Sequence, residues 1–136
     1  MQEIKIPKRI KKVRTQYDGD CCMACIAMLT SQSLQDIKNF VFKRKLISSK
    51  FSYASYGVEA KAILNRMGVK CRFVKYKGLD KLTRHSIVFV ISFDNDRGSH
   101  HAVVWDVTRK CIVDPSDILD KRLSYHNAYM CLEIVA

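Results

Sequence analysis

Cys21-Cys22-Met23-Ala24-Cys25-Ile26-Ala27-Met28-Leu29 is a run without a single charged residue. Wound at 3.6 residues per turn it is apolar on every side, so it predicts a helix buried all round rather than one lying on a surface. Asp18-Gly19-Asp20 precedes it with turn-forming residue types, which places the helix start, and the first thiol, at the tip of the buried element. Such a position has chemical meaning. Unpaired N–H groups and the helix dipole favour negative charge at an N-terminus, and a thiol is a nucleophile only as its thiolate.

Working outward, Met1 to Thr15 carries Lys5, Lys8, Arg9, Lys11, Lys12 and Arg14 around Ile4, Ile6, Ile10 and Val13, with Pro7 opposing one continuous helix. It reads as an extended basic lead-in. Downstream, Ser33 with Asp36 three residues on forms a variant capping box, opening a helix that presents Leu34, Ile37, Phe40 and Val41, with Lys38 and Asn39 on its other side. A third helix sets Ala60, Ile63, Leu64 and Met67 at helical spacing and ends at Gly68. The period then becomes two. Val69, Cys71 and Phe73 alternate with Lys70 and Arg72, a half-buried strand with a basic outer face. Further strands follow at Ser86–Phe93, Ala102–Val107, Cys111–Val113 and Met130–Val135, with the polar turn Asp94–Ser99 between the first two. Helices then sheet predict an α+β domain, the buried helix packed on an antiparallel sheet.

The 136 residues fit one domain, with 48% hydrophobic and 27% charged residues, an ordinary globular balance. No apolar run reaches the length of a membrane span, and the basic start lacks the apolar core of a secretory signal, so the expectation is a soluble cytoplasmic protein with no membrane partner. Six cysteines, two of them adjacent, then read as reduced thiols rather than a disulfide framework. The net charge of +11 favours an anionic partner, nucleic acid or an acidic protein, and equally serves solubility.

A thiolate in hydrolysis needs a proton carrier, and the carrier needs an orienting acceptor. His101 stands at the head of the Ala102–Val107 strand, and Asp114 ends the next strand, just before Pro115. Hairpin parity makes the pairing testable. A loop of two or four residues between these strands sets Asp114 across from Val103 and on the face of His101, whereas three residues would set them on opposite faces. Gln16, a little before Cys21, has an amide N–H suited to an oxyanion, alongside the nucleophile's own backbone N–H.

Taken together, Gly19-Asp20-Cys21-Cys22-Met23-Ala24-Cys25-Ile26-Ala27-Met28-Leu29-Thr30, then His101-Ala102-Val103-Val104, then Val113-Asp114-Pro115, resemble the papain-like cysteine peptidase superfamily. The likeness is nearest to the peptidases that process double-glycine leader peptides and to their small stand-alone bacterial and phage relatives. It spans Gln16 to Pro115 and keeps the order Gln, Cys, His, Asp. The resemblance implies a papain-like fold and a Cys21–His101–Asp114 triad with Gln16 as oxyanion donor. It also implies a peptide or protein substrate cut through a thioester, with no metal or organic cofactor. Two departures stand out: Cys22 replaces the usual small residue after the nucleophile, and Gln16 lies five rather than six positions before Cys21. Counting from Gln16 selects Cys22; the helix register of Ala24, Ala27 and Met28 selects Cys21, and a loop absorbs a deletion more easily than a helix does.

Other readings compete for the same residues. Cys25, Cys71, Cys111 and Cys131 read as core thiols. Cys22-Met-Ala-Cys25 has zinc-site spacing, but it lies inside an apolar helix without a second such pair, and redox chemistry lacks the preceding strand. Strand alternation lets only one of His100 and His101 face the helix, and the family register selects His101. His85 and His126 read as solvated, Trp105 and Tyr125 as core or pocket aromatics. Two rival functions stand beside the peptidase: amidase, deamidase or acyltransferase chemistry with the same triad, and an inactive papain-like domain. The latter would bind an anionic partner through the lead-in and Lys70, Arg72, Lys75 and Lys77.

Overall fold

The uncharged run winds into helix α1, Cys21–Thr30, in the computed structural model, which describes residues 4–16, 20–45, 57–92, 99–116 and 128–135. Every α1 residue after Cys21 is buried. The helix closes at Ser31 in the left-handed region, φ 56°, with the Ser31 N–H donating to Ala27 O. Helix α2, Leu34–Lys43, starts as the capping residues predict, the Asp36 N–H donating to Ser33 Oγ at 3.0 Å. Helix α3, Gly57–Arg66, stops at Gly68, whose φ of 87° suits a residue without Cβ, while the Val69 N–H returns to Leu64 O.

Five strands form one antiparallel sheet in the order β1-β5-β2-β3-β4, from β1 (Cys71–Lys75), β2 (Ser86–Ser92), β3 (Ser99–Asp106), β4 (Cys111–Val113) and β5 (Ala128–Ile134). The fold is α+β. Helix α1 packs on β3 and against α2 and α3, so the all-apolar helix is enclosed by the other helices and one sheet face. Ile87, Phe89, Ala102, Val104, Val113 and Leu132 meet it there. Val88, Val90, Val103, Trp105 and Cys131 alternate with these and join a second cluster. Among the described residues no helix is long and apolar enough to cross a membrane.

Residues 4–16 form neither helix nor strand and lie across the fold as a strap. Ile10 is its apolar anchor, 2% exposed in the main core. The Ile10 N–H donates to the buried Asp106 carboxylate at 2.9 Å, and Arg109, paired with Asp106 at 2.7 Å, donates from Nη2 to Ile10 O.

Three expectations need correction. His85 is buried rather than solvated: its Nδ1 accepts from the Val107 N–H at 3.2 Å and its Nε2 faces Pro7 O at 2.9 Å, so it fastens the strap to the sheet. Phe73 is exposed, because β1 is an edge strand, and Lys61 lies 5.3 Å from its ring centroid. Lys38 turns inward, for a reason given below. Tyr125, His126 and the tip of the polar turn after β2 lie outside the described residues.

Candidate active site

Cys21 is the first residue of α1 and is half-buried, whereas Cys22, one hundred degrees around the helix, is 3% exposed in the core. Of the two adjacent thiols, Cys21 is the one close enough to His101 to raise the pKa of its ring. All six cysteines are free thiols, and burial pushes the Cys25 and Cys131 thiols up, Cys131 to about 12, as core thiols do.

His101 is the third residue of β3, opposite Val90, and is almost wholly buried. By alternation it shares the phase of Val103 and Trp105, not that of Ala102 and Val104 beneath α1. The expectation that His101 is the histidine facing the helix is therefore corrected: its strand phase turns away from the flank of α1, and it bears on the helix only at Cys21, the first helical residue. The β3–β4 register pairs Asp106 with Cys111 and Val104 with Val113, leaving a four-residue loop. One step further, Asp114 stands level with Val103, on the face of His101. His101 Nε2 and Asp114 Oδ1 are 2.7 Å apart. Asp114 is itself steadied by the Ser116 N–H, which donates to the same oxygen at 2.9 Å.

With Nε2 engaged by Asp114, the other ring nitrogen, Nδ1, is the one left for the thiol. Burial alone would lower the His101 pKa. The hydrogen bonds to Asp114 and Cys21 and their negative charges outweigh it and raise the imidazole to about 9. At neutral pH the ring is therefore an imidazolium, a proton donor held beside sulfur.

Gln16 ends the strap. Its neighbour Thr15 donates from its backbone N–H to Pro115 O at 3.2 Å, which ties the strap to the segment just after Asp114. The Gln16 N–H donates to Asp20 Oδ2 at 3.2 Å, and Asp20 is the residue before Cys21. Asp20 is fully buried and does not cap α1 with its side chain; Lys38 Nζ of α2 reaches its Oδ2 at 2.9 Å. Lys38 also reaches Gln16 Oε1 at 3.4 Å.

Residues 16, 20, 21, 38, 101 and 114 thus converge from the strap, two helices and two neighbouring strands. Lys38 is the member that sequence reading missed. A signal was there: it falls four residues after Leu34 and three before Val41, in step with the buried stripe of α2. Among the described residues no cluster of three or more His, Cys, Asp or Glu side chains is arranged to hold a metal.

No family model matches the chain, and no curated protein matches it.

Proposed function

We propose that the chain is a papain-like cysteine hydrolase, acting as a peptidase on a peptide or protein substrate. One observation carries the reading: His101 lies between the Asp114 carboxylate, at 2.7 Å, and the Cys21 thiol. A buried imidazole bonded to a carboxylate and set near a thiol at a helix N-terminus is the arrangement that thiol acyl transfer requires.

In this mechanism Cys21 Sγ attacks the substrate carbonyl carbon while the thiol proton resides on His101. The oxyanion is met by the Cys21 backbone N–H and by the amide of Gln16. The carbon–nitrogen bond breaks as His101 passes its proton to the leaving amine, which leaves a thioester on Cys21. Water then attacks the thioester, giving a proton to His101. The carbon–sulfur bond breaks, the acid departs and the proton returns to sulfur. Asp114 orients the ring throughout.

The test is alkylation by an electrophilic thiol probe at limiting concentration, followed by intact mass, on wild type, Cys21→Ala, Cys22→Ala and His101→Ala. A single adduct is expected on wild type and Cys22→Ala, and none on the other two. Equal labelling of all four would remove the enzyme claim. Loss only in Cys22→Ala would move the nucleophile by one residue. Profiling with peptide, amide and amine acceptors separates peptidase from amidase, deamidase or acyltransferase use of the same thioester.

A second reading is favoured by a separate observation. Lys5, Lys8, Arg9, Lys11, Lys12 and Arg14 are all exposed along the strap, and a cavity of about 290 Å³ is lined by Arg9, Lys11, Lys12, Ala27 and Met28. An anionic partner, nucleic acid or acidic protein, would engage this face with steeply salt-dependent affinity. Binding that survives Cys21→Ala and weakens when these lysines are neutralised supports it.

A further inference from the structure

We propose that Lys38 is a positioning residue that sets which end of the Gln16 amide faces the reacting carbonyl. This deepens the hydrolase reading and rests on it.

A glutamine side chain ends in an acceptor and a donor of nearly equal size, and only the donor stabilises an oxyanion. Gln16 is exposed at the end of a strap without secondary structure, so nothing in its own segment selects one orientation. Selection comes from α2. An ammonium group donates and never accepts, so Lys38 Nζ, at 3.4 Å, fits only the carbonyl end of the amide. Holding Oε1 leaves the two N–H bonds of Nε2 as the end available to substrate.

The lysine is in turn fixed. Its side chain is 9% exposed, and its ammonium pairs at 2.9 Å with an Asp20 carboxylate that is wholly buried. The same carboxylate oxygen receives the Gln16 backbone N–H, and the Asp20 carbonyl accepts from the Ala24 N–H in the first turn of α1. One ion pair therefore locks the amide, the backbone that carries it, and the residue before the nucleophile. A buried ion pair is a poor source of net stability, and its best-attested use is to fix one arrangement against others. Here the arrangement fixed is that of the oxyanion donor.

The experiment compares two reactions at Cys21 that differ in whether an oxyanion forms. Iodoacetamide alkylates the thiol by displacement of iodide at carbon, with no oxyanion. p-Nitrophenyl acetate acylates it through a tetrahedral oxyanion, releasing p-nitrophenolate. Because removing Lys38 alone would strand a buried charge, the variant is Lys38→Met with Asp20→Asn, which removes both charges together. It is compared with Gln16→Ala and with the triple substitution. Alkylation is expected to stay within about twofold of wild type, since the Cys21–His101 pair is untouched. Acylation is expected to fall roughly tenfold or more in the double variant and in Gln16→Ala, with no further fall in the triple. Lys38→Arg, which keeps a charged donor, should retain most of the acylation rate. Unchanged acylation overturns the proposal. So do additive losses in the triple variant, and so does an equal loss of alkylation and acylation, which would mean that the lock serves the thiol or the fold. Absence of His101-dependent alkylation in wild type is a separate result, and it sinks the hydrolase reading itself.

Discussion

At the residue scale the proposed chemistry turns on how strongly His101 holds its proton. The hydrogen bond to Asp114 is the largest single contribution among those that raise the ring to about 9 against the pull of burial. Asp114→Asn keeps the shape and removes the charge. The His101 midpoint, followed by NMR of the ring protons, is expected to fall from about 9 toward the ordinary value near 6.5. Acylation of Cys21 should slow by roughly one to two orders of magnitude, because the ring loses both its orientation and its charge partner. An unmoved midpoint would separate the carboxylate from the catalytic unit. The relation between His101 and Asp114 was legible in sequence because parity along a hairpin is a local rule. The burial of Lys38 was harder to see, since its spacing to Leu34 and Val41 was the one local sign and its partner Asp20 lies before a different helix.

At the element scale the strap matters most. Thirteen residues without helix or strand are held by a few contacts, and the densest of these is at Asp106, whose carboxylate accepts from the backbone of Ile10, Thr108 and Arg109 and from the Arg109 side chain. Burial works against its charge, but those hydrogen bonds and Arg109 win, and its pKa is lowered. Asp106→Asn removes the charge and at least one acceptor. An expected loss of about 1–3 kcal/mol follows from leaving buried donors unpaired. Trypsin should then cut between Lys8 and Arg14 faster than in wild type, with α1 and the sheet surviving as one larger fragment. Unchanged cleavage would show that the contacts at Ile10, His85 and Pro115 secure the strap without the Asp106 charge. Composition had marked this segment only as a basic lead-in. Its apolar anchor Ile10 and its capture by His85 and Asp106 depend on partners 78 and 96 residues away, which no window of sequence contains.

For the whole molecule the two shifts define a pH window. Asp106, lowered, contributes stability that is present above the ordinary carboxylate value of 3.8 and is lost as pH falls through its folded value. His101, raised, contributes stability fully present below 6.5 and lost as pH climbs through about 9. Stability is therefore expected to be greatest between about pH 4 and 6.5, with an alkaline decline of at most about 3 kcal/mol. Urea midpoints across pH 5 to 9 measure it, and His101→Gln should flatten the alkaline side. The direction is diagnostic. In a chain of net charge +11, proton loss relieves self-repulsion and would by itself raise stability over this range. A rise instead of a fall would show that the His101 pair is not the dominant titrating contact.

The fold class was readable because α1 is apolar on every face and must be enclosed, whereas the strand edges carried less information: Phe73 fits a buried alternation yet lies on the sheet's outer strand. The strap has one more consequence, which concerns time. Ile10 and Asp106 are separated by 96 positions, and Thr15 and Ser116 by 101. A chain leaving the ribosome exposes Cys21 eighty residues before His101 and ninety-three before Asp114, the partners the proposed chemistry needs. Over that interval the thiol lacks the proposed proton partner, so a protein built this way is chemically quiet until the sheet strands that carry His101 and Asp114 have been made.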